Sequence, residues 1–200
     1  KGPPPGFWIG AGLRGLGEGE LRAGQTVSET QLQLLLGLGC DPLSGEPLGK
    51  PWPHYAGLPQ RIARRLAALP ASLSVSERAD AATSVEAEEA ARGQRAAVAG
   101  FDHTFSVPKS VSALWAIADG GTQALIVQAH HDAIADVLDL LERDVAMTRI
   151  GADAGSGSVA QVEVRGVVAA AYDHYDSRSS DPQLHTHVVI ANKVQGAHDG

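Results

Sequence analysis

His185 and His187 stand two residues apart in a run that is otherwise strand-forming and apolar, Leu184 to Val194. Residues at i and i+2 of a β-strand share one face. The pair therefore predicts a strand with two imidazoles on one side, while Thr186 between them points to the other. A third histidine, His174, is separated from His185 by ten residues and lies at the end of a second predicted strand, Gln161 to Tyr172. The polar stretch Asp176 to Gln183 is long enough to join the two as a loose hairpin. Three neutral imidazoles converging on one side of a sheet make a facial metal site with open positions. A divalent ion held there acts as a Lewis acid on a phosphoryl or carbonyl oxygen. The spacing leaves the reaction open, because hydrolases and oxygenases also use histidine triads.

The rest of the second half is patterned to surround such a sheet. Val98 to Ser106 reads as a strand, and Pro108 to Ala118 as a helix with proline near its first turn. Thr122 to about Met147 is a long amphipathic helix with Leu125, Ile126, Ile134, Val137, Leu138, Leu141 and Val145 on its expected apolar side. His130 and His131 lie within it and read as structural, as does Trp115 as core. A Gly- and Ser-rich turn is expected at Gly151 to Ser158. The first half is less regular. Residues 1–25 are Gly- and Pro-rich and read as loop anchored by Phe7 and Trp8. Ser28 or Thr26 caps a short helix, Thr30 to Leu38. Residues 59–69, with Arg61, Arg64 and Arg65, read as a short helix with a solvated basic face, and residues 75–93 as an exposed helix. This order predicts an α+β fold, with helices packed on one face of an antiparallel sheet.

Composition narrows the setting. A lone cysteine, Cys40, forms no internal disulfide, which fits a reducing cytoplasm. No apolar run approaches the roughly 20 residues that span a bilayer. The formal charge of −7 argues against a protein that coats nucleic acid. Residues 101–200 carry 6 basic and 13 acidic side chains, so the half with the histidines is the acidic one. A bound cation offsets part of that charge locally.

The run from Tyr172 to Asn192, YDHYDSRSSDPQLHTHVVIAN, resembles the three-histidine motif of MobF-type conjugative relaxases, members of the HUH endonuclease group. Gly100 to Ser112, GFDHTFSVPKSVS, resembles the strand–turn–helix signature of the same family, and Trp8, Gly10 and Gly12 its early Trp-x-Gly-x-Gly segment. The three occur in the family's order along essentially the whole chain.

The resemblance implies a palm: an antiparallel sheet carrying the histidines, flanked by helices. It implies site- and strand-specific nicking and rejoining of single-stranded DNA at an origin of transfer. His174, His185 and His187 would hold one divalent metal, Mg²⁺ or Mn²⁺ in use, against the scissile phosphate. A tyrosine would attack to give a 5′-phosphotyrosyl link. Asp102 matches the family's acidic residue near the metal, placed to orient a metal-bound histidine or to help take the tyrosine proton. His103 beside it points to the other sheet face by alternation. Lys109, at a helix N-terminus, and Arg178 are candidate phosphate contacts.

The sequence departs from the family at the nucleophile. The family's tyrosines precede the Trp-x-Gly-x-Gly stretch, whereas only seven residues precede Trp8 here and none is tyrosine. Tyr55, Tyr172 and Tyr175 match no catalytic position. The expectation is a single relaxase-domain fragment: residues 1–95 a peripheral loop and helical part, 96–200 the palm core. The tyrosine segment and the C-terminal remainder would lie outside it. Relaxosome accessory proteins and a C-terminal helicase domain would be partners of the parent protein. Two other readings remain, a non-catalytic DNA-binding remnant and a three-histidine metal hydrolase. The second does not account for the GFDHTFSVPKSVS signature.

Overall fold

Alternation along one strand sets the architecture. In β6 (Pro182–Ala191), Leu184, Thr186, Val188 and Ile190 are buried, whereas His185, His187 and Val189 are only half-buried. The computed structural model describes residues 4–150 and 160–197. Among them, β6 lies inside a four-stranded antiparallel sheet of order β1-β5-β6-β2, with β1 Phe7–Ile9, β2 Gly100–Ser106 and β5 Ala169–Asp176. The alanine run Ala169–Ala171 is buried on both faces, and its small side chains let layers close in from both sides.

On one face lies α5 (Gly120–Asp144), whose Ile134 and Leu138 pack with Ala169, Ala171, Val188 and Ile190. On the other lie Trp8, Leu13, Leu16, Leu21, Val27 and Leu35, packed with Val168, Ala170 and Ala191. Each of the valine, leucine and isoleucine side chains among them contributes roughly 1.5–3 kcal/mol by leaving water. The expected arrangement of helices on a single face is thus corrected: the early segment forms a second layer. The stretch expected as loop over residues 1–25 supplies β1, with Trp8 fully buried. The following helix, α1 (Glu29–Leu32), starts at Ser28, whose hydroxyl accepts from Gln31 N, and runs on as a π-helical turn over Gln33–Leu38.

The long strand expected over Gln161 to Tyr172 is two strands in two sheets. β4 (Ala160–Glu163) pairs antiparallel with β3 (Met147–Ile150), and β5 begins only at Ala169. The break is at Gly166, with φ 132°. There the backbone meets the Trp-x-Gly-x-Gly segment so closely that a Cβ on Gly10 would sit 2.2 Å from the Val167 carbonyl oxygen, and one on Gly12 2.8 Å from that of Gly166. Glu142 of α5 completes the junction, one carboxylate oxygen accepting from Ala11 N and Val167 N, both at 2.8 Å. The turn expected at Gly151 to Ser158 lies outside the described residues.

Residues 1–51 and 99–200 make one compact unit and residues 52–98 a second. The early residues thus belong with the sheet, not with the helices that follow them. The second unit holds α2 (Leu58–Ala67) and α3 (Val75–Ala91), the latter capped by Ser74 and Glu77. Its basic helix face is not simply solvated. Arg61 Nε lies 2.8 Å and Arg65 Nη1 3.2 Å from the carboxylate of Glu89, itself buried, and Arg92 adds a contact at 2.9 Å. A buried carboxylate needs such partners. α4 (Lys109–Ile117) follows β2 and is tied to β6 by the buried Ser112 hydroxyl, which accepts from Leu184 N at 3.0 Å. Among the described residues no helix is long and apolar enough to cross a membrane.

Candidate metal centre

The antiparallel register of β5 and β6 places His174 opposite His185 and Tyr172 opposite His187. All three histidines project from the face that carries Ala170 and Tyr172. Their ring centroids are 5.1–5.3 Å apart. One ring nitrogen from each lies within 4.8 Å of the other two. β2 extends this face: Thr104 stands opposite His187, and Asp102 two residues before it shares its side.

Hydrogen bonds select which nitrogen is free. Nδ1 of His185 lies 2.9 Å from the carbonyl oxygen of Gln183, which can only accept. Nδ1 of His187 lies 2.9 and 3.1 Å from the two carboxylate oxygens of Asp102, with Thr104 Oγ1 at 3.3 Å. Each Nδ1 therefore carries the proton in the neutral ring, and Nε2 keeps its lone pair. A carboxylate or carbonyl behind a histidine is the usual arrangement around a bound metal. The donor set thus fits a divalent ion in a facial three-nitrogen site.

The three rings share an open depression of about 510 Å³ with Thr104, Ser106, Asp176, Ser177, Arg178 and Gln183. The hairpin turn that lifts Arg178 to its rim is closed by Ser177 N to Asp181 O at 2.9 Å, with Ser180 in the left-handed region at φ 62°. Lys109, the first residue of α4, is placed differently. Its Nζ donates to Pro182 O at 2.9 Å and lies 4.0 Å from the Asp181 carboxylate, so it ties down the base of the same turn. His103 faces the other way, into a separate hollow with Phe101 and Ile190. Three side chains near the histidines went unassigned by sequence reasoning: Thr104, Asp173 and the hydroxyl of Thr186. The signal for Thr104 was present, since Asp102 and Thr104 alternate on one strand. Asp173 had none, because its partners Thr186 and His131 lie on β6 and α5, far along the chain.

A sheet that gathers three imidazoles over a hydrogen-bonded carboxylate defines a facial three-histidine centre suited to a divalent ion. The chain belongs to the TrwC relaxase family, whose profile matches residues 1–200. It is 43% identical over 101 residues to the multifunctional conjugation protein TraI of Escherichia coli, and 41% identical over 101 residues to the TraI of strain K12. Each match covers 50% of this chain and 5% of the relative. Among solved structures, the metal-bound conjugative relaxase TrwC in complex with oriT DNA superposes with a TM-score of 0.57 at 25% identity, over 98% of this chain and 50% of that one. TrwC complexed with a 27-mer DNA comprising the recognition hairpin and the cleavage site gives 0.57 and 25%, over 98% and 51%. The matched segments thus span about half the length of the solved relatives and a twentieth of the curated ones.

Proposed function

We propose that residues 1–200 are the metal-binding body of a conjugative relaxase that nicks and rejoins single-stranded DNA at an origin of transfer. One observation carries the reading: in a chain of this family, His174, His185 and His187 converge on a single open depression rimmed by Arg178. The three histidines would hold one divalent ion, Mg²⁺ or Mn²⁺ in use. When bound, such an ion supplies Lewis acidity toward a phosphoryl oxygen and offsets charge developing there.

The protein's own residues do the rest. Gln183 O and Asp102 hold the His185 and His187 rings in one tautomer and one orientation. Arg178 meets a phosphate of the strand, its planar guanidinium suited to two oxygens at once. A tyrosine hydroxyl gives up its proton, with Asp102 as the acceptor, and its oxygen bonds to phosphorus as the bond to the 3′ oxygen breaks. The 3′ oxygen leaves as a hydroxyl, taking up a proton, and the 5′ phosphate stays on the tyrosine. The covalent link conserves the phosphodiester energy, so attack by a 3′-hydroxyl reseals a strand.

None of the chain's own tyrosines suits the attack. The Tyr172 hydroxyl is buried without a hydrogen-bond partner, and burial pushes its pKa up. Tyr175 stacks on Trp115 at 5.0 Å, its pKa also raised by burial. Tyr55 sits in the helical unit, over which Arg95 lies at 4.9 Å from the ring. The reading therefore assigns the nucleophile to a tyrosine outside residues 1–200. The parent would act in the cytoplasm, with accessory proteins and a helicase domain as partners.

The test expresses the chain with its upstream coding sequence and incubates it with Mg²⁺ or Mn²⁺ and single-stranded oligonucleotides from the element's own transfer origin. A covalent protein–DNA adduct is expected, lost with EDTA and with His185→Ala. A protein that binds metal yet forms no adduct on either strand of that origin would leave a DNA-binding remnant as the better account.

A further inference from the structure

The reverse face of the metal-bearing strands carries a second polar cluster. Thr186, between His185 and His187, and Asp173, next to His174, stand directly opposite each other in the β5–β6 ladder. Their side chains turn toward α5. The Thr186 hydroxyl donates to Asp173 Oδ1 at 2.6 Å, and both residues are buried. With its proton committed to Asp173, that hydroxyl accepts from Nε2 of His130 at 2.9 Å. Nε2 of His131, the next residue on α5, reaches both oxygens of Asp173 at 3.0 Å. The result is a closed chain, His130 to Thr186 to Asp173, with His131 completing the carboxylate.

Two features set this cluster apart from ordinary core satisfaction. Its neighbours on that face of β6 are Leu184, Val188 and Ile190, all buried and apolar, so the hydroxyl at 186 answers to Asp173 and His130 and not to its own strand. The backbone ladder is also irregular just where the ligands sit, with a register shift between His174 and Asp176. Beyond the His174–His185 pair, regular pairing no longer fixes how far apart the two strands lie. A side-chain bond on the rung between the His174–His185 pair and His187 holds the two strands together next to that irregularity. Rotation of the backbone at 186 would move both flanking imidazoles, and a shift at 173 would move the third.

We propose that the Asp173–Thr186 bond, anchored to α5 by His130 and His131, is a clasp that positions the three histidines from behind the sheet. It rests on the reading of those histidines as a metal centre. Asp173 and Thr186 are positioning residues: they touch neither metal nor substrate and act through the spacing of β5 and β6.

The experiment titrates Co²⁺ into the 200-residue chain and records its visible d–d bands, with thermal unfolding of the metal-free protein measured alongside. Thr186→Val removes the hydroxyl at nearly constant volume and should weaken Co²⁺ binding about tenfold, the lower end of what partners of metal ligands are worth, with altered band positions. Thr186→Ser keeps the hydroxyl and should restore the wild-type bands and affinity, whatever its melting temperature. Should Thr186→Val not fold, Asp173→Asn and Asp173→Leu, of similar volume, decide in its place. The first retains an acceptor oxygen and must keep the bands; the second must lose them. Variants that lower the melting temperature but bind Co²⁺ with wild-type affinity and bands overturn the clasp while leaving the metal centre standing. A wild-type chain whose Co²⁺ binding matches that of His185→Ala overturns the metal centre, and the clasp with it.

Discussion

Asp102 on β2 and His187 on β6 are joined across the strands, with Nδ1 2.9 and 3.1 Å from the carboxylate oxygens. The bond fixes the tautomer and adds negative charge behind the ring, which makes Nε2 a better donor. Asp102→Ala should therefore weaken Mn²⁺ or Co²⁺ binding by about 10–100-fold, read by isothermal titration. Asp102→Asn should lose less, since its amide oxygen still accepts from Nδ1–H but carries no charge. Wild-type affinity in Asp102→Ala would remove this residue from the centre.

Gly10 tests the junction that breaks β4 from β5. Its φ of 104° lies where a side chain is strained, and a Cβ would fall 2.2 Å from the Val167 carbonyl oxygen. At ψ 149° this is backbone that is open essentially only to glycine, worth of order 1–3 kcal/mol to another residue, and the clash with backbone adds to it. Gly10→Ala should lower the unfolding free energy in urea by more than about 2 kcal/mol. A loss below about 1 kcal/mol would mean that the segment relaxes freely, and that the close approach does not organise the fold.

The contrast between these two sites explains what the sequence could reveal. The His185–His187 pair was legible because alternation on a strand is local: the two share a face whatever the rest of the chain does. Asp102 was named through the resemblance of the strand–turn–helix signature, which implied an acidic residue near the metal. The β4–β5 break was not legible, because Gln161 to Tyr172 has the residues of one strand and only the approach of Gly10 and Gly12, over 150 positions away, explains why Gly166 ends it. Arg61 and Arg65 looked like a solvated face because nothing local pairs them; Glu89, more than twenty residues on, does. His130 and His131 were read as structural, and because their partners lie on β5 and β6 the cluster they complete had no local signature.

His131 and Asp173 shift in the senses expected of an ion pair. The hydrogen bond that His131 donates to Asp173 raises the His131 pKa above its ordinary value, against desolvation. For Asp173, burial pushes upward, but the bonds from His131 and Thr186 outweigh it and hold the pKa below the ordinary carboxylate value. His131 thus contributes stability that is full below its unfolded pKa of about 6.5 and is lost as pH rises through its higher folded value. The contribution of Asp173 is present above its unfolded value of about 3.9 and is lost as pH falls through the depressed one. The pair is at full strength in the window between, from roughly pH 4 to 6.5. Asp132, adjacent on α5, reinforces the raised value, and the Phe7 ring packs at 5.5 Å. His130, whose pKa burial lowers, remains in both proteins when only His131 is changed. His131→Asn should therefore lower the melting temperature most near pH 6, with the penalty shrinking by pH 9. A penalty independent of pH over that range would mean that the pair is neutral.

Arg178 and Lys109 separate on the same criterion of free charge. Arg178 sits on an exposed turn at the rim of the histidine depression, whereas the Lys109 ammonium is engaged by Pro182 O and approaches Asp181. A side chain that neutralises one phosphate releases about one condensed counterion, worth roughly 0.7 in the slope of log K against log salt for a single strand. Arg178→Ala should flatten the salt dependence of oligonucleotide binding by about that amount, across sequences alike. Lys109→Ala should leave the slope unchanged while loosening the turn, seen as faster hydrogen exchange at Ser177 and Ser180. The reverse pattern, with the slope moved by Lys109 and not by Arg178, would shift the phosphate path from the rim of the depression to the start of α4. Equal slopes in both variants and wild type would put the strand's electrostatic contacts outside this turn.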